Sequence, residues 1–211
     1  MISNIKRKGN RNSIIERYIK GKNVLDIGCV DHDFEESMKS RGDDFLHAFI
    51  SKKAKKCLGI DIEKKEIEKM NEYGYKCLNA NDENFNLGKK FDVIVAGEII
   101  EHLYNAGKFL ESVKRHMNKE SVFILTTQNP FFFKYILKAV IKGKPELRHD
   151  HTCIFDPQTL SYLMEKHGFE IIDIYWTNFS ENKYKLSYWL SHFKYLNANF
   201  LIIAKLKGQY D

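Results

Sequence analysis

Short apolar runs alternate along this chain with stretches in which apolar residues recur every three or four positions. The runs at 23–27, 57–61, 75–78, 91–96, 121–126, 169–175 and 200–204 predict seven strands. Several, such as Phe91-Asp92-Val93-Ile94-Val95-Ala96, are apolar at nearly every position rather than at every second one. That pattern suits a parallel strand covered on both faces. Between the runs, Ile14, Ile15, Tyr18 and Ile19 share one helical face and predict a helix over 12–20. Phe45, Leu46, Phe49 and Ile50 predict another over 44–53, and Ile67 with Met70 a third. Phe109, Leu110, Val113 and Met117 mark the next, and Pro157 opens one that carries Leu160, Leu163, Met164 and His167 on one side. Strands alternating with helices predict an α/β fold with a doubly wound, mostly parallel sheet.

Two apolar stretches fit this scheme less simply. Phe131, Phe132, Phe133, Tyr135, Ile136, Leu137, Val140 and Ile141, broken by Lys134 and Lys138, predict a greasy helix with cationic flanks. It is about half the length needed to span a bilayer, which leaves a core helix, a cover over an apolar acceptor, or peripheral membrane contact. Leu186, Trp189, Leu190, Phe193 and Leu196 keep helical spacing and predict a helical, aromatic insertion at about 177–198.

Length and charge narrow the picture further. With 211 residues the chain suffices for one α/β domain over 12–211, preceded by a flexible basic tail over 1–11 that carries Lys6, Arg7, Lys8 and Arg11. No apolar segment follows those cations as a secretory signal requires, and Cys29, Cys57, Cys77 and Cys153 form no Cys-x-x-Cys pair. A cytoplasmic protein with reduced thiols is expected. The net charge of +6 is modest and its lysines are spread out, so nucleic acid is admitted only as a less favoured partner. The sequence leaves the oligomeric state open.

Candidate chemistry gathers at strand ends. Asp26 and Gly28 end the first strand, and a glycine there lets a ligand approach the backbone. The following Cys29-Val30-Asp31-His32-Asp33 lacks the glycines that cradle a pyrophosphate, which argues against a dinucleotide. Asp61 ends the second strand, where an acid accepts hydrogen bonds from ribose hydroxyls. A helix cap is the structural alternative for it.

The run Val-Leu-Asp-Ile-Gly-Cys at 24–29 resembles the first motif of class I S-adenosylmethionine (SAM) dependent methyltransferases, and Gly97-Glu98-Ile99-Ile100-Glu101-His102-Leu103 resembles their fourth. The resemblance implies a Rossmann-like sheet of seven strands whose seventh lies antiparallel beside the sixth. It also implies SAM as cofactor, held by Asp26, Gly28, Cys29, Asp61, Ile62, Asn81, Asp82 and Gly97. Asn81 aligns with the family's adenine-binding acid, with Asp82 as its substitute. The implied reaction is methyl transfer to a small-molecule or glycan-type acceptor, at oxygen.

Such a transfer needs a group that removes the acceptor's proton. His102, His149 and His151 are the candidates, His102 and His151 foremost, with His32 and His47 as further ones, and Glu98 is expected to face the cofactor's ammonium or the acceptor. No metal is required by this reading. A runner-up resembles the metal-assisted RNA ribose 2′-O-methyltransferases of the Hen1 type. In it Glu98, Glu101 and His102, at i, i+3 and i+4 of a helix, join His151 around a divalent ion. A degenerate SAM-fold binding protein is the alternative outside enzymes, motivated by the thinned glycine turn.

Overall fold

The computed structural model describes residues 5–144, 150–177 and 193–208. All seven expected strands form: Asn23–Ile27 (β2), Lys56–Asp61 (β3), Cys77–Asn79 (β4), Phe91–Gly97 (β5), Met117–Gln128 (β6), Phe169–Thr177 (β7) and Asn199–Leu206 (β8). An eighth, Ile5–Gly9 (β1), precedes them and pairs in parallel with β7. The sheet order is β1-β7-β8-β6-β5-β2-β3-β4, and β8 runs antiparallel to both its neighbours. Strand β1 and the start of the helix that follows correct the expectation of a flexible tail for residues 5–11; residues 1–4 lie outside the described residues. The strand's basic composition carries no apolar period, but an edge strand needs only a partner's free backbone groups. The 178–192 part of the expected insertion lies outside the described residues, and Lys194–Leu196 forms one 3₁₀ turn.

Period-two alternation explains how the sheet holds helices on both sides. In β2, Leu25 and Ile27 pack with Ile94 and Ala96 of β5, while Val24 packs with Val93 and Val95 on the other face. The first face is covered by Ala106–Arg115 (α5) and Pro157–Lys166 (α7), through Phe109, Leu110, Val113, Leu160 and Met164. Arg11–Ile19 (α1) and Leu46–Lys53 (α3) cover the second through Ile14, Ile15, Ile19 and Ile50. Each fully buried side chain of this size contributes about 1.5–3 kcal/mol.

Several helix starts are fixed by side-chain caps. Asn10 accepts from Ser13 N–H at α1, and Asp156 forms a reciprocal capping box with Thr159 at α7. Asp33 caps Phe34–Arg41 (α2) by accepting from Glu36 N–H. Helix α2 escaped the periodicity reading because only Phe34 and Ser37 of its eight residues are buried. Its Asp-x-x-Glu start was the available signal. A third apolar cluster, with Phe34, Phe45, Ala48, Ile67 and Met70, packs α2 against α3 and Lys64–Glu72 (α4).

The helix over 131–141 forms at Phe133–Lys142 (α6), with none of its residues buried. Among the described residues, no helix is long and apolar enough to cross a membrane.

Candidate active site

Strand order reverses between β2 and β5, since β3 and β4 build outward from one side of β2 and the later strands from the other. A crevice opens at such a reversal, at the carboxyl ends of the strands. A cleft of about 650 Å³ occupies that place and is lined by Asp26, Gly28, Cys29, Asp61, Ile62, Asp82, Gly97 and Glu98, among others. Seven of the eight expected cofactor residues therefore meet there. Another hollow, of about 580 Å³, lies by Arg17, Lys22, Asp92 and Asn118. Asp92 and its neighbours sit at the start of β5, the opposite end from a ligand crevice.

Asn81 is the exception. It is exposed, and its amide oxygen accepts from Glu83 and Asn84 N–H, so it closes a turn and does not line the cleft. Its neighbour Asp82 lies inside, 5% exposed, with Oδ1 buried and without a hydrogen-bond partner. The alignment that favoured Asn81 is corrected by one position, because the turn needs an Asx acceptor before the inward residue.

Gly28 has φ of 70°, and a Cβ there would come within 3.0–3.2 Å of the Ile99 side chain. Both facts require glycine at the first turn. From β3, Asp61 Oδ2 accepts from Val30 N–H at 2.9 Å and Oδ1 from Glu63 N–H at 3.0 Å. The acid so ties two loops together and also keeps lone pairs for the cleft, combining the cap and ligand roles. Asp26 is 1% exposed, with Oδ2 2.8 Å from His47 Nδ1 and Oδ1 buried without a partner. Three acceptors on three strand ends match the donors of SAM: an ammonium, ribose hydroxyls and an adenine amino group. Ile62, 58% exposed at the rim, offers an apolar surface for a purine face.

Arg11 was missed in the sequence, being taken for tail. It is the first residue of α1, placed there by the Asn10 cap, and it lines the cleft with a guanidinium nitrogen 3.9 Å from Glu98 Oε1. Burial lowers its affinity for its proton and Glu98 offsets part of that loss, so the site holds a cation suited to a carboxylate.

Burial, with Asp61 and Glu83 nearby, pushes the Asp82 carboxyl up to about 8. A raised value in the fold means that its stabilising contribution is full below the ordinary carboxylate range and is lost as pH rises through about 8. An adenine amino group donates best to the ionised form. Cofactor affinity is therefore expected to rise about tenfold from about pH 7 to about pH 9, with proton release on binding. Asp82→Asn should flatten that rise. Calorimetry in two buffers of different ionisation enthalpy checks it, and a wild-type profile as flat as the variant's would refute it.

Beyond β5 the backbone departs from expectation. Glu98 takes φ of 55°, and only Ile100–His102 form a 3₁₀ turn, so Glu98, Glu101 and His102 do not share a helical face. Glu98 instead accepts from Asn199 Nδ2 at 2.7 Å. Glu101, His102 and His151 do come together, their ligand atoms all within 4.8 Å of one another. The runner-up metal set is thereby corrected by the loss of Glu98 from the cluster.

His151 arrives from far along the chain because its loop is fastened to this turn. Thr152 N–H and Cys153 N–H donate to the Glu101 carbonyl, and Thr152 Oγ1 donates to the Leu103 carbonyl at 2.6 Å. His102 and His151 rings meet edge to face at 4.8 Å, and His32 stands 6.3 Å beyond His102. Burial raises the Glu101 carboxyl to about 7. His47 is not in this group, and His149 lies outside the described residues.

His102 lines the cofactor cleft, while His151 lines a small neighbouring hollow with Pro130, Tyr135, Ile154 and Phe155. Gln128 lines both. Cofactor cleft and this hollow therefore abut at the carboxyl end of β6.

Comparison with known proteins agrees with this layout. The family model described as a methyltransferase domain matches residues 3–174. The ubiquinone biosynthesis O-methyltransferase of Rickettsia prowazekii is 25% identical over 177 residues, covering 78% of this chain and 66% of that protein. Its counterpart in Aeromonas salmonicida is 26% identical over 193 residues, covering 86% and 75%. The chain thus spans about two thirds to three quarters of these relatives. A SAM-dependent methyltransferase structure from Mesorhizobium loti superposes with a TM-score of 0.64 at 14% identity, covering 93% of this chain and 98% of that one. One from Archaeoglobus fulgidus gives 0.59 at 19% identity, covering 92% and 94%. With the acids in place at three strand ends and the family model spanning most of its length, the chain belongs to the class I SAM-dependent methyltransferases.

Proposed function

We propose that this enzyme methylates a hydroxyl of a small, largely apolar acceptor, as the name of its ubiquinone-biosynthesis relatives suggests. The observation that carries this reading is the junction at Gln128, where His102 of the SAM cleft stands beside Tyr135, Ile154 and Phe155, which with Glu101, Thr127, Asn129 and His151 line a hollow of only about 10 Å³ that must widen to admit an acceptor. Methyl transfer from a sulfonium is an in-line displacement on an already activated carbon. The protein's tasks are to align the acceptor and accept its proton.

His102 suits the second task. Its Nδ1 lies 3.2 Å from the Asp150 carbonyl, which only a protonated nitrogen can satisfy. That contact leaves Nε2 as the free base. Glu101 and His151 behind it stabilise the proton once taken. Tyr135, Ile154 and Phe155 beside that junction suit an apolar ring. Exposed Ile136, Leu137, Val140 and Ile141, with Lys134, Lys138 and Lys142 on the same helix, are where we place peripheral contact with an anionic membrane that carries such an acceptor. The four free cysteines fit a cytoplasmic setting.

A second reading has a divalent ion on Glu101, His102 and His151, favoured by their mutual proximity. In that role the ion would hold the acceptor hydroxyl and lower its pKa. One assay separates the readings. SAM and a panel of hydroxylated aromatics, glycans and short RNA are incubated with the enzyme, with chelator or with Mg²⁺ or Mn²⁺, and methylated product is read by mass spectrometry. Product on hydroxylated aromatics that survives chelation is expected. Strict metal dependence supports the second reading, and product only on glycan or RNA defeats the apolar-acceptor proposal.

A further inference from the structure

Beneath the first turn, away from the acceptor side, three metal-binding side chains from three elements converge in the interior. Cys29 follows Gly28, His47 comes from α3 and Cys77 begins β4; they are 2%, 1% and 4% exposed. Their ligand atoms all lie within 4.8 Å of one another. Cys29 and His47 also line the cofactor cleft, but methyl transfer as derived above uses neither the two thiols nor this imidazole.

The space between them is kept open by a residue that could have closed it. A Cβ at Gly59 would sit 2.6 Å from Cys29 Sγ, 2.8 Å from Cys77 Sγ and 2.8 Å from His47 Cε1. Gly59 has no positive φ to require glycine, so the absent side chain is explained by what it would displace. Each ligand is also held from behind. Cys29 N–H donates to the Ile60 carbonyl, and Asn71 grips both Cys77 N–H and its carbonyl. Asp26 accepts from His47 Nδ1 at 2.8 Å, which points Nε2 toward Cys77 Sγ at 3.5 Å. Tetrahedral zinc with ordinary Zn–S and Zn–N bonds separates its sulfur and nitrogen ligands by roughly 3.6 Å. A carboxylate behind the far ring nitrogen is the usual support of a ligating histidine.

We propose that Cys29, His47 and Cys77 form a binding site for a thiophilic divalent cation of the zinc class, with Asp26 orienting the imidazole. Three protein ligands leave a fourth position for water or solvent anion. Binding releases the two thiol protons, and any proton on His47 Nε2, to solvent. Because Cys29 belongs to the turn under the cofactor and Cys77 to β4, occupancy would pin that turn to the sheet edge.

The test uses the full chain, reduced with a phosphine and stripped with chelator, then titrated with Co²⁺ as an optical probe. One equivalent is expected, with thiolate-to-cobalt charge-transfer bands that Zn²⁺ bleaches. X-ray absorption at the zinc edge of the wild-type protein should show two sulfur neighbours at about 2.3 Å. Cys77→Ala should abolish the thiolate bands. Gly59→Ala should weaken binding at least ~10-fold by filling the space with every ligand present, an effect of the size seen when ligand support is lost. Cys57→Ser and His102→Ala should leave the bands unchanged. The proposal falls if Co²⁺ binds without thiolate bands, if the bands survive Cys77→Ala, or if zinc sees only nitrogen and oxygen. Loss of binding in His102→Ala would assign the ion to the Glu101 cluster instead. The site stands or falls separately from the acceptor, since none of these readouts depends on turnover.

Discussion

His102→Ala is expected to lower kcat for methyl transfer by about 10²–10⁴, the usual contribution of a positioned general base, with little change in SAM affinity. The two effects separate because the acids to which we assign SAM, Asp26, Asp61 and Asp82, stand on other strand ends, whereas His102 borders both the cleft and the histidine pair. His102→Gln should be nearly as slow, since an amide can still donate to the Asp150 carbonyl but cannot take a proton. Added imidazole should recover part of the alanine variant's rate and none of the glutamine variant's, whose side chain fills the space. Equal losses of rate and SAM affinity would instead make His102 a cofactor residue. A rate restored by excess Mn²⁺ would make it a metal ligand.

The sheet was legible because its strands are buried on both faces. Runs such as Phe91–Gly97 leave no polar side to face solvent, and length then selects strand over helix. Asp26, Gly28 and Asp61 were legible for a related reason: an acid or glycine that ends such a run must meet something other than apolar core. Other features depend on partners that pattern does not carry. Strand β1 is made by the free edge of β7, and the pairing of His151 with His102 by two backbone donors to the Glu101 carbonyl. Glu98 was misread because helical spacing was assumed through a residue that adopts φ of 55°. A non-glycine residue in that region gives no sign in its sequence, and its strain is the kind that collects at active sites. Arg11 was hidden by its basic neighbours, although Asn10 and Ser13 marked the helix start that lifts it into the cleft.

His47→Ala is expected to destabilise the metal-free protein by about 3–5 kcal/mol, the penalty for stranding a buried charge. Domains of this kind hold only about 5–15 kcal/mol in total, so much of the population would unfold in mild denaturant. Burial alone would drive the proton off His47, but Asp26 and Cys77 hold it and raise the group to about 9. The Asp26 carboxylate and the imidazole therefore form a buried ion pair; Asp26 without its partner is an uncompensated charge, whereas His47 without Asp26 gives up its proton. Removing both should cost less than the two single changes added together. Urea unfolding of His47→Ala, Asp26→Ala and the double variant tests this, and strict additivity would show that the pair carries no coupling. The same bond bears on function. It takes Asp26 Oδ2 and leaves Oδ1, buried and without a partner, at the cofactor cleft. A bound ammonium then completes the carboxylate's hydrogen bonds, so SAM should raise the unfolding temperature of the wild-type protein more than that of His47→Ala, in which the acid is free to turn away.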